Sequence, residues 1–99
     1  MQALPFDTEK LQEICRHNDV TMVGVFGSVA RGEATEQSDI DLLVEFDPEH
    51  IPGLLGIAGM EIELSGLLGG RQVDLRTAAD LSHFFRDEVV RTAEVQYAA

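Results

Sequence analysis

Apolar positions along the chain alternate between two periods, one of about 3.6 residues and one of two, and the changes of period mark the expected elements. Leu11, Ile14 and Cys15 share one face of a first helix, which Asp7 can cap and which ends near Asn18. Residues 21–26 are apolar and β-branched and predict a strand that stops at Gly27, after which Ser28 opens a short helical segment over 29–33. Residues 39–46 alternate cleanly, with Ile40, Leu42, Val44 and Phe46 on one face and Asp39, Asp41, Leu43 and Glu45 on the other. A loop over 47–53 follows, then a glycine-interrupted helix over 54–68 that Gly69 and Gly70 terminate. Residues 72–76 predict a third strand, and Phe84, Phe85, Val89, Val90 and Ala93 place a final helix over 81–97, with its aromatic residues expected in the core. The order α-β-α-β-α-β-α predicts an α+β fold, a three-stranded mixed sheet with helices packed on it.

At 99 residues, 44% hydrophobic and 25% charged, the chain is expected to fold as one domain spanning 1–99. A core of this size leaves little room for both a reaction centre and a deep acceptor pocket, so a partner is expected to complete the site. Eighteen acidic residues against seven basic ones give a net charge of -11, with Lys10 the single lysine. Passive nucleic-acid binding needs clustered Lys and Arg, and the arginines are scattered from Arg16 to Arg91, so direct nucleic-acid binding is not expected. The acidic surface suits a basic protein partner or divalent cations, and equally plain solubility. A single cysteine, Cys15, forms no internal disulfide and fits a reducing cytoplasm, while the N-terminal residues lack the pattern of a signal peptide. The uncharged run 51–60 is interrupted by Glu61 and Glu63 and is too short for a membrane helix, so no membrane association is expected.

Chemistry concentrates in Gly27-Ser28, ten intervening residues, and Asp39-Ile40-Asp41. Residues two apart in a strand point to one side, so Asp39 and Asp41 set two carboxylates together, and the usual remedy for that repulsion is a hard divalent cation such as Mg²⁺. A Gly-Ser turn between a strand end and a helix start offers free N–H groups to phosphate, and glycine permits close approach. Ser28 adds a hydroxyl, or serves as an ordinary helix cap, and Arg31 either contacts phosphate or pairs with Glu33 or Glu36. Asp74 is the candidate third carboxylate, on a strand where Val73 and Leu75 face the core and Asp74 faces away. His17, His50 and His83 share no ligand spacing, and Cys15 lies on the apolar face of the first helix. A P-loop is excluded because Lys10 is far from any glycine-rich turn, and a Gly-x-Gly-x-x-Gly is absent.

These residues, with the flanks Ala30-Arg31-Gly32 and Ser38-Asp39, resemble the signature of the minimal nucleotidyltransferases in the DNA polymerase beta superfamily. The resemblance spans nearly the whole chain and implies the small nucleotidyltransferase fold. It further implies that Asp39 and Asp41 hold two Mg²⁺ ions, that Asp74 holds the catalytic one and helps deprotonate the acceptor, and that Gly27 and Ser28 grip the nucleotide phosphates, with Arg31 nearby. Members this short look like MntA-type antitoxins, which pair with a HEPN-domain toxin and transfer AMP from ATP to its tyrosine. A small-molecule hydroxyl acceptor, or an antitoxin acting by binding alone, are the competing expectations. The missing acceptor domain weighs against the former and the intact signature against the latter.

Overall fold

The computed structural model describes residues 7–27, 32–33, 35, 39–81, 84 and 86–99. Helix α1 (Thr8–His17) begins where Asp7 Oδ1 accepts the Lys10 N–H at 3.2 Å, and Glu9 at its start and Arg16 and His17 at its end complement the helix dipole. It closes at Asn18, whose side chain donates to the Ile14 carbonyl, and Asp19 in the left-handed region (φ 57) turns the chain straight into β1 (Val20–Phe26). Strand β2 (Ile40–Phe46) runs antiparallel to β1. Helix α2 (Leu54–Leu67) then carries the chain over one face of the sheet, so that β3 (Val73–Arg76) lies parallel to β2. A 3-10 helix (Ala78–Asp80), capped reciprocally by Thr77 and Asp80, precedes α3 (Arg86–Thr92) and β4 (Glu94–Ala98). The sheet order is β3-β2-β1-β4.

The core forms between one face of the sheet and helices α1 and α2. Leu11 and Cys15 of α1 and Met60 and Leu64 of α2 meet Val23, Val25, Ile40, Leu42, Val44, Val73 and Leu75 of the three strands they cover. Each such side chain removed from water contributes roughly 1.5–3 kcal/mol, so this single layer holds the sheet together. The alternation read over β2 is borne out, since Ile40, Leu42 and Val44 are core, and Asp41 points to the other face together with Leu43. Leu43 is itself fully buried there, and the 3-10 helix contacts β2.

Two expectations are corrected. The sheet has four strands rather than three, because the final helix ends at Thr92 and residues 94–98 pair antiparallel with β1. The apolar spacing through Ala93 is helical, but from Glu94 onward Val95 and Tyr97 alternate with Glu94 and Gln96, a period of two. Tertiary context decides the outcome, since without β4 the outer N–H and C=O groups of β1 would form an open edge. Phe84, expected in the core, is 87% exposed, and Phe85 lies outside the described residues. The short helix expected over 29–33 also falls largely outside them, with Gly32 in a turn.

Candidate active site

The parallel pairing of β2 with β3 makes Asp41 and Asp74 direct register partners. Neighbouring strands lie about 4.8 Å apart and directly opposed residues share a face, so two carboxylates from distant parts of the sequence are brought side by side. On its other flank Asp41 pairs with Phe26, the last residue of β1, and the chain after Phe26 therefore turns at the level of this carboxylate. Gly27 occupies the turn at φ +74, and a Cβ placed on it would overlap the Asp41 carboxylate and come within 3.1 Å of its Cγ. Glycine is required here twice, for the left-handed backbone and for the close approach. The result is a backbone turn packed directly against an acidic pair.

Asp39 sits one residue before β2 and is exposed, whereas Asp41 and Asp74 are half-buried. The Ile40 N–H donates to the Gln72 carbonyl at 2.8 Å, which extends the β2-β3 pairing to the level of Asp39. The structure thus brings Asp41 and Asp74 together and leaves Asp39 at the entry of the strand. Among the described residues no three His, Cys, Asp or Glu side chains close into a metal cage. The donor chemistry itself, acidic oxygens on adjoining strands where like charges repel, fits a hard divalent cation. Ser28 and Arg31 lie outside the described residues.

Two residues that sequence reasoning passed over support this arrangement. Arg71 Nη2 donates to the Thr35 carbonyl at 2.9 Å, tying the segment between Gly27 and Asp39 to the chain entering β3. Glu61 Oε2, from α2, accepts the Leu75 N–H at 2.9 Å and so holds the outer side of β3 beside Asp74. A pair of glutamates, Glu61 and Glu63, inside an otherwise uncharged stretch was the available signal for Glu61, and it reads just as well as an interruption of that stretch. Arg71 carries no signal beyond its position after a glycine pair.

Among the described residues, the cysteine and the histidines do not gather at this place. Cys15 is buried in the core, and burial pushes its thiol up to about 11, so it stays neutral and unreactive near pH 7. His17 and His50 are exposed, the latter with Nδ1 3.5 Å from the Asp47 carboxylate, and His83 lies outside the described residues. No helix among the described residues is long and apolar enough to cross a membrane.

Comparison with known proteins bears on the family and the fold. Residues 8–95 match the family model described as a nucleotidyltransferase domain. The chain is similar to the protein adenylyltransferase MntA of Thermococcus cleftensis, with 43% identity over 90 residues covering 91% of this chain and 86% of that relative. A solved structure assigned to the minimal nucleotidyltransferases superposes with a TM-score of 0.70 at 42% identity, covering 87% of this chain and 85% of that one. A crystal structure of a toxin-antitoxin with AMP-PNP shares the fold, with a TM-score of 0.73 at 21% identity over 94% of this chain and 74% of that one.

Proposed function

The chain belongs to the nucleotidyltransferase domain family, and from that premise we propose that it transfers AMP from ATP to a tyrosine hydroxyl of a cognate HEPN-domain toxin and thereby neutralises it. The observation that carries the reading is the register pairing of Asp41 with Asp74 beside the Gly27 turn, which places acidic oxygens next to a phosphate-permissive backbone. The similarity to a protein adenylyltransferase supports protein as the acceptor, and the shared fold of a toxin-antitoxin structure with AMP-PNP supports both the toxin partner and ATP.

Asp39, Asp41 and Asp74 are the residues that would hold two Mg²⁺ ions, which when bound neutralise phosphate charge and activate the acceptor oxygen. The turn at Gly27 offers backbone N–H groups to the β- and γ-phosphates, and Ser28 and Arg31 are the residues that would add a hydroxyl and a cation there. Asp74 accepts the proton as the acceptor oxygen bonds to the α-phosphorus, and the bond to the oxygen bridging the α- and β-phosphates breaks, releasing pyrophosphate. The acidic surface, at net charge -11, suits a basic ribonuclease-like toxin.

The deciding experiment mixes this chain, its cognate toxin, Mg²⁺ and ATP labelled on the α- or the γ-phosphate. Label from the α-phosphate on the toxin, absent with Asp39→Asn, is the expected result. Label from the γ-phosphate would make the chain a kinase, and no label despite tight binding would make it an antitoxin that acts by contact alone.

A further inference from the structure

Helix α2 carries large apolar residues on its outer as well as its inner face, a pattern that belongs to helices covered on both sides. Its inner face is accounted for by Met60 and Leu64, which are buried in the core. Its outer face is not, because Leu54 is 87% exposed, Leu55 90% and Ile62 74%, with Ile51 just before the helix at 67%. Leu54, Ala58 and Ile62 fall four residues apart and Leu55 lies beside them, so the exposed groups form one stripe along the helix. A contiguous apolar stripe of this kind marks an interaction surface.

Position distinguishes this stripe from the chain's other exposed apolar residues. A groove of about 370 Å³ opens between α2 and β3, and Ala58 and Ile62 line it at one side while Asp74 lines it at the other. The groove therefore runs from the stripe to the edge strand that carries Asp74. Charge selects the occupant. Glu61 and Glu63 lie on the helix, which carries no basic residue, and a second copy of this chain would bring a further net charge of -11. Like charge disfavours self-pairing here and favours a partner whose apolar contact is rimmed by Lys and Arg.

We propose that the outer face of α2 is the docking surface for the acceptor protein, which lays an apolar surface flanked by basic side chains along Leu54, Leu55 and Ile62 and so delivers its hydroxyl through the groove to Asp74. The proposal rests on the proposed function for the identity of the partner and for its last step, while docking itself is measurable without chemistry. It adds to that reading where on this chain specificity for one partner resides.

The test uses the purified cognate HEPN-domain toxin and measures binding and α-phosphate label in parallel, for the wild-type chain and for Leu55→Glu, Ile62→Glu and Val95→Glu. All three positions are exposed, so each variant is expected to fold. Leu55→Glu and Ile62→Glu should each weaken the complex by about 30-fold or more, the scale of losing a central interface anchor. Transfer should fall in proportion at limiting toxin and recover at saturating toxin. Val95→Glu, on the opposite sheet edge, should change binding by no more than about twofold, as ordinary surface substitutions do. Binding within about twofold of wild type for both helix variants overturns the proposal. So does failure of the wild-type chain to bind the toxin, or a dimer of this chain alone that Ile62→Glu dissolves. A complex that is sensitive to Ile62→Glu yet never acquires α-label leaves the docking surface standing and removes the transfer reading instead.

Discussion

The two edges of the sheet are built by different means. At one edge β3 is four residues long, lies parallel to β2, and is gripped from outside by the Glu61 side chain at the Leu75 N–H. At the other, β4 is held to β1 by antiparallel pairing that shifts register at Val23/Gly24, and its residues are half-buried or exposed. The β3 edge carries Asp74 and has its backbone tied on both sides, whereas the β4 edge completes the sheet and carries none of the candidate site. A reacting group must be held closely to its productive position, and the placement of Asp74 against Asp41 follows that requirement.

The largest expected effect tests whether the β3 edge is functional at all. Asp74→Asn preserves volume and β3 pairing while removing an acidic oxygen and the proton acceptor, so transfer should fall by about a thousandfold or more. Its melting temperature should stay close to that of the wild type. A variant with full transfer would strip Asp74 of its role and reduce β3 to scaffolding. Gly27→Ala comes next. It forces a side chain into the left-handed region and against the Asp41 carboxylate, and should cost about 1–2 kcal/mol in denaturant unfolding and about a hundredfold in transfer. Unchanged values for both would mean that the turn does not set the position of Asp41.

The sequence disclosed the two edges unequally. β2 and β3 were readable because Ile40, Leu42 and Val44, and then Val73 and Leu75, alternate with aspartates, and a period of two exposes both strand and facing. The pairing of Asp41 with Asp74 was foreseeable as a shared face, but not as a direct register match, which depends on how α2 returns the chain. β4 was not read as a strand because Val89, Val90 and Ala93 carry a helical spacing up to its first residue, and its pairing answers a need of β1, about 70 residues earlier in the chain, rather than any local preference. The outer stripe of α2 was likewise hidden, since an apolar helix in a sequence reads as core whichever side is covered.

Glu61 offers an intermediate test of how the β3 edge is held. Glu61→Ala leaves the Leu75 N–H without its side-chain acceptor and should cost about 1 kcal/mol of stability, while Glu61→Gln, which keeps an acceptor oxygen, should cost less. Loss of transfer in Glu61→Ala beyond the loss of stability, with partial rescue in Glu61→Gln, would assign Glu61 the positioning of β3. Equal behaviour of the two variants would make the bond incidental to the edge.

One substitution made at both edges sets a moderate cost against the smallest effect expected. Val73 on β3 is 4% exposed and sits in the core cluster, so Val73→Thr buries a hydroxyl among apolar neighbours and should cost about 1–2 kcal/mol. Val95 on β4 is 58% exposed, and its register partner is Gly24, which offers no side chain for a cross-strand contact. Threonine keeps the β-branched shape that suits a strand, so Val95→Thr should shift stability by no more than about 0.5 kcal/mol. Urea unfolding of the pair measures the asymmetry directly. Similar costs at both positions would mean that β4 is packed as tightly as β3, and the distinction would then rest on the aspartates alone, with no difference in how firmly the fold grips its two edges.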